Sequence, residues 1–93
     1  VIKTKIKGHK AAITAIIDLK DGHHLLSGSY DKKINVYDLY DGTLEFNLPA
    51  NKSSVTGMVL NSTSTKMVSC NLDNSLNVWS IVRSKSNNVI FMI

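Results

Sequence analysis

The sequence predicts an all-β chain: two antiparallel four-stranded units with one strand in front of them. Three observations carry this expectation. Shifted by 42 residues, the chain aligns on itself without a gap. Its apolar runs are 4–7 residues long and rich in Ile, Val, Leu and Thr, the lengths and residue types of strands. Turn clusters separate the runs, and Asp41-Gly42 is the strongest hairpin signal among them.

Residues 1–6 form the leading strand on this reading. The first unit follows with strands at 12–18, 23–29, 33–39 and 43–48, and the second with strands at 54–60, 65–71, 75–81 and 88–93. Lys20-Asp21-Gly22 and Asn61-Ser62-Thr63-Ser64 are turns at corresponding places, as are Asp31-Lys32-Lys33 and Asp73-Asn74-Ser75. The repeat preserves chemical class more than identity. Ile13-Thr14-Ala15-Ile16-Ile17 falls on Val55-Thr56-Gly57-Met58-Val59, and Ile34-Asn35-Val36-Tyr37 on Leu76-Asn77-Val78-Trp79. Neighbouring pairs such as Ile16-Ile17 and Leu25-Leu26 put apolar residues on both faces, so each sheet is expected to be covered on both sides.

Composition narrows the functional classes. The 93 residues carry a formal charge of +4 and are 43% apolar, too apolar for a disordered chain. Cys70 is the single cysteine, so no internal disulfide and no zinc-finger spacing is available. No run reaches the roughly 20 apolar residues of a membrane helix. The start, Val1-Ile2-Lys3-Thr4, lacks the apolar centre of a signal peptide, and the end is the apolar Val89-Ile90-Phe91-Met92-Ile93. Both ends read as cut, so a fragment of a longer protein is expected. Ten lysines stand against one arginine, Arg83. The densest basic stretch is Lys3, Lys5, Lys7 and Lys10, with the first three on one face of a strand. It reads either as a patch for RNA or an acidic partner or as a solvated outer strand protected from edge pairing.

The Gly8-His9 opening, the segment Leu25-Leu26-Ser27-Gly28-Ser29-Tyr30-Asp31 and Ile34-Asn35-Val36-Tyr37-Asp38 resemble the WD40 repeat family. The resemblance covers essentially the whole chain. It implies two four-stranded blades of a β-propeller, at 7–48 and 49–93, with strand 1–6 closing a preceding blade. It also implies a buried hydrogen-bond network in each blade. The matching positions are His9, Ser27, Asp31 and Tyr37 in the first repeat, and Asn51, Ser69, Asp73 and Trp79 in the second. Tyr37 stands where the family prefers Trp, and its phenol is not expected to occupy the indole's place. Ala50-Asn51 stands where the family has Gly-His, so the second network lacks its imidazole.

His9, Asp31 and Ser27 also invite comparison with a hydrolase triad. A nucleophile needs an exposed turn, whereas Ser27 lies in mid-strand, and Ser69 and Asp73 recur without a histidine. A structural network accounts for that recurrence. His23 and His24 read as a surface turn at the end of the sheet opposite His9, so no metal site is expected from them, and no cofactor. Cys70, on the second strand, reads as a small buried residue.

Two blades leave apolar faces open, which predicts that the chain is part of a larger propeller. The expected function is a non-catalytic, intracellular scaffold, in cytoplasm or nucleus, binding other proteins in a complex of the eukaryotic kind. Candidate contact residues are Lys10, Tyr30, Lys32, Lys52, Leu72 and Asn74. The alternative is a propeller subunit of an RNA–protein particle, touching RNA through Lys3, Lys5 and Lys7.

Overall fold

The computed structural model describes residues 5–48, 52–83 and 89–92. The chain forms β1 (Ile13–Asp18), β2 (His24–Ser29), β3 (Ile34–Asp38), β4 (Thr43–Asn47), β5 (Val55–Leu60), β6 (Lys66–Asn71), β7 (Leu76–Arg83) and β8 (Val89–Met92). Two four-stranded antiparallel meanders result, β1–β4 and β5–β8. The architecture is all-β. Among the described residues no helix is long and apolar enough to cross a membrane.

Within the leading strand expected at 1–6, Lys5 and Ile6 are not in a strand. No described strand lies beside them to complete a ladder. The rest of that segment, with Lys3, lies outside the described residues, as does Asn51.

Carboxylates and amides shape the turns. Asp18 accepts the Lys20 N–H at 2.8 Å, Asp38 the Tyr40 N–H at 2.7 Å, and Asp21 those of His23 and His24 at 2.8 and 2.9 Å. Asp41 accepts both the N–H and the hydroxyl of Thr43. Such short side chains mimic a turn's backbone, which is why they cluster where strands end. The repeat extends to backbone handedness. Lys32 (φ 72°) and Asn74 (φ 69°) stand 42 residues apart, as do Gly22 (φ 79°) and Ser64 (φ 57°). Each pair reverses the chain through the left-handed region at the same point of its unit.

The two sheets pack face to face through β1 and β2 against β5. Ile17, Leu26 and Val36 stand in register across β1–β3, and Met67 and Trp79 across β6–β7. All five belong to one core cluster with Leu19, Ile34, Leu48, Val55 and Ile81. Gly28 sits at the contact: a Cβ there would lie 2.7 Å from Val55 Cγ1. Only the missing side chain lets β2 approach β5 so closely. Thr14 lies at the β1 bulge, and its hydroxyl donates to the Val55 carbonyl at 2.7 Å, pinning the sheets together.

The strand ends define two rims. One carries residues 7–12, 30–33, 48, 52–54 and 72–75; the other carries 19–23, 39–42 and 61–65.

Candidate functional site

The first rim is built on Asp31. This aspartate ends the run Leu25–Tyr30 and its carboxylate turns back under the loop before β1. Oδ2 receives the Lys10 N–H at 3.0 Å and lies 2.9 Å from His9 Nδ1, while Oδ1 receives the Lys33 N–H at 3.0 Å. His9 Nε2 is 2.6 Å from Ser27 Oγ. The ring thus bridges the carboxylate at Nδ1 and the serine oxygen at Nε2. The His9 side chain is 1% exposed and that of Asp31 9%, so each needs the other.

Burial pushes the Asp31 carboxyl up. The Lys10 N–H, the His9 ring and the Lys33 N–H outweigh it and hold the group below the usual carboxylate range.

Tyr37 corrects the expectation that its phenol cannot take the indole's place. Its hydroxyl lies 3.3 Å from Ser27 Oγ and accepts the Asn35 amide at 2.9 Å. In the second sheet Trp79 Nε1–H donates to Ser69 Oγ at 3.1 Å. In both units the aromatic ring reaches the serine of the neighbouring strand, ten residues before it.

Asp73 is not joined to Ser69 and Trp79 by a direct bond. It is exposed and accepts the Ser75 hydroxyl and N–H. Those two donors hold its carboxyl below the usual range.

Asn35 belongs to the network without having been singled out from the sequence. Its amide also donates to the Gly8 carbonyl at 2.7 Å, so it fastens the chain ahead of His9 onto the sheet. The recurrence of Asn35 at Asn77 was the available signal. Gly8 is required at this point, because a Cβ would overlap the Tyr37 hydroxyl and come 2.9 Å from Asn35 Nδ2. Gly8→Ala is therefore expected to expel the loop from the sheet and lower stability by about 1–3 kcal/mol. Denaturant unfolding checks this, and a shift equal to that of Gly57→Ala, where a Cβ meets open space, would remove the argument.

Ser27 with His9 and Asp31 reproduces the hydrogen-bond order of a nucleophile, base and orienter. The serine is nevertheless 3% exposed and enclosed by its neighbours, which leaves no room beside Oγ for a carbonyl to be attacked.

His24 differs from its expected place in a surface turn. It begins β2 and is buried, with Nδ1 2.6 Å from Asp21 Oδ2 and Nε2 3.5 Å from Glu45 Oε2. Two carboxylates compensate the buried imidazole, which neighbouring residue types alone did not reveal. Among the described residues no group of three His, Cys, Asp or Glu side chains is arranged to hold a metal.

The candidate contact residues Lys10, Tyr30, Lys32, Lys52, Leu72 and Asn74 are all exposed on the Asp31 rim. Hydrogen bonds tie its loops together, the first of them across the two sheets. Ser54 Oγ donates to the Tyr30 carbonyl at 2.7 Å, Leu72 N–H to the Ser54 carbonyl at 2.9 Å, and Asp73 N–H to Ser53 Oγ at 3.2 Å. Lys5 and Lys7 are exposed on the segment leading into the rim.

The family described as "WD domain, G-beta repeat" matches residues 1–38 and 42–80. The second match begins in the β3–β4 turn and ends within β7, so one repeat straddles both sheets and links them covalently. Among solved structures, the chain is similar to the computationally designed Ika4 protein, with 29% identity and a TM-score of 0.68 over 82% of this chain. It spans 45% of that protein's length. No curated protein matches the sequence.

Proposed function

This chain belongs to the WD40 repeat family, and we propose that it is a non-catalytic protein-interaction scaffold forming part of a larger β-propeller in a multiprotein complex. One observation carries the reading. Residues at corresponding repeat positions have opposite exposure. Ile17, Ile34 and Val36 are 8%, 0% and 0% exposed, whereas Val59, Leu76 and Val78 are 64%, 64% and 51% exposed. The first sheet buries this face on the second; among the described residues nothing covers the same face of the second. The opposite face of the first sheet, covered over Ser27, Asn35 and Tyr37, exposes apolar surface at β1. Ile16 is exposed there, whereas its counterpart Met58 packs on the core. Open apolar faces of this kind mark sites that are covered in the working assembly.

Sedimentation velocity on the 93-residue chain tests this. Concentration-dependent association is expected, and Val59→Lys with Val78→Lys should abolish it while strand content by circular dichroism is retained. Val36→Lys, at the buried counterpart, should unfold the chain. A monomeric wild type with a cooperative thermal transition and no binding of an apolar dye would overturn the reading.

A further inference from the structure

The charges of this chain are sorted between its two rims. Asp18, Asp21, Asp38, Asp41 and Glu45, five of its seven carboxylates, stand at or next to the rim of 19–23 and 39–42. Most of them are engaged in turn hydrogen bonds. The other rim has Asp31, consumed by His9 and two backbone N–H groups, and Asp73, held by Ser75. Around them Lys10, Lys32, Lys33 and Lys52 are exposed, and none forms an ion pair among the described residues.

These lysines do not hang from loose loops. The Asp31 carboxylate grips the backbone of Lys10 and Lys33 on either side of the rim. Lys32 occupies the left-handed turn position between them. Lys52 leads into Ser53 and Ser54, which are bonded to the Asp73 and Tyr30 turns. The same buried carboxylate thus stabilises the blade and presents the cations. Fixing the backbone beforehand lowers the ordering cost of binding. Tyr30 and Leu72, 49% and 64% exposed, provide apolar surface among the charges.

We propose that this rim docks an acidic segment of another protein, with carboxylates on Lys10, Lys32, Lys33 and Lys52 and an apolar side chain against Tyr30 and Leu72. The proposal rests on the scaffold reading and names its partner class. Lysine ammonium groups serve as point charges for carboxylates. RNA recognition relies on stacking aromatics and planar guanidinium forks. Tyr30 is the sole Tyr, Phe or Trp among this rim's described residues, and Arg83, the one arginine, ends β7 at the far side.

The test is fluorescence anisotropy with the 93-residue chain and a labelled dodecapeptide of Asp and Glu with one central Phe and one Leu. Binding is expected, weakening as salt rises. The variant Lys10→Gln/Lys32→Gln/Lys33→Gln/Lys52→Gln should lose about tenfold or more, as several individually weak exposed pairs compound. Lys20→Gln/Lys66→Gln, on the opposite side, should bind like the wild type. The proposal fails if the peptide does not bind, if both variants bind it equally, or if a uridine dodecanucleotide binds more tightly and displaces it. A chain that associates through its open faces but ignores the peptide would keep the scaffold reading and lose the acidic partner alone.

Discussion

Trp79→Ala is expected to remove about 3–5 kcal/mol of stability, the largest effect of any single truncation in this chain. Trp79 is fully buried, stands opposite Met67 across β6–β7 and belongs to the cluster that joins the two sheets. Truncation opens a cavity at that junction and leaves Ser69 without its indole donor. Small domains hold only about 5–15 kcal/mol in total, and this one has open faces besides. The variant should thus be largely unfolded at room temperature. Trp79→Phe retains most of the volume and loses the N–H, and should cost about 1–2 kcal/mol. Circular dichroism in urea is the measurement, since Trp79 is the only tryptophan and its fluorescence disappears with it. If Trp79→Ala moved the midpoint no further than Leu72→Ala, an exposed control, the role of this junction would be refuted.

Asp31→Asn comes second. The amide keeps the shape but removes the charge that His9, Lys10 and Lys33 are arranged around. One half of the amide then meets those donors with its own N–H. Breaking such a buried, hydrogen-bonded pair should cost about 2–4 kcal/mol. The variant also predicts a pH signature. The folded carboxyl titrates below its unfolded counterpart, whose pKa is about 3.9. Its stabilisation is therefore complete above the unfolded value and is lost as pH falls through the folded one. The stability gap between wild type and variant should narrow below about pH 5. Asp41 and Asp73 are shifted in the same direction by hydroxyl and N–H donors, so the variant keeps part of its acid sensitivity. A gap that stays constant from neutral to acid pH would show that the charge of Asp31 contributes nothing.

The order of the strands was legible in the residues because the apolar runs are short and most end at or next to an aspartate or an asparagine. Those turn residues act locally. Asp18 and Asp41 bond to amides two residues on, so a short window of sequence contains the whole interaction. The group His9, Ser27, Asp31 and Tyr37 was visible for another reason: its spacing recurs 42 residues later with two of four members changed. Asn35 escaped notice although its counterpart Asn77 is unchanged, because an asparagine in a strand looks like a surface residue until the Gly8 carbonyl is found above it. His24 escaped because its local partner, Asp21, suits an exposed turn equally well. Its second carboxylate neighbour, Glu45, is twenty-one residues away on β4.

By itself the sequence determined the period, the strands, the turns and the family, since all of these follow from interactions within one unit. Only the tertiary structure decided which apolar residues are core. Ile34 and Leu76 occupy the same place in their repeats and have nearly the same hydrophobicity, yet one is fully buried and the other 64% exposed. The reason is that a side chain states a preference for burial, while burial itself requires a surface to meet. The first sheet has the second beneath it. The second leaves the corresponding residues exposed, and the sorting of lysines and carboxylates between the two rims likewise became visible only when the strands were laid side by side.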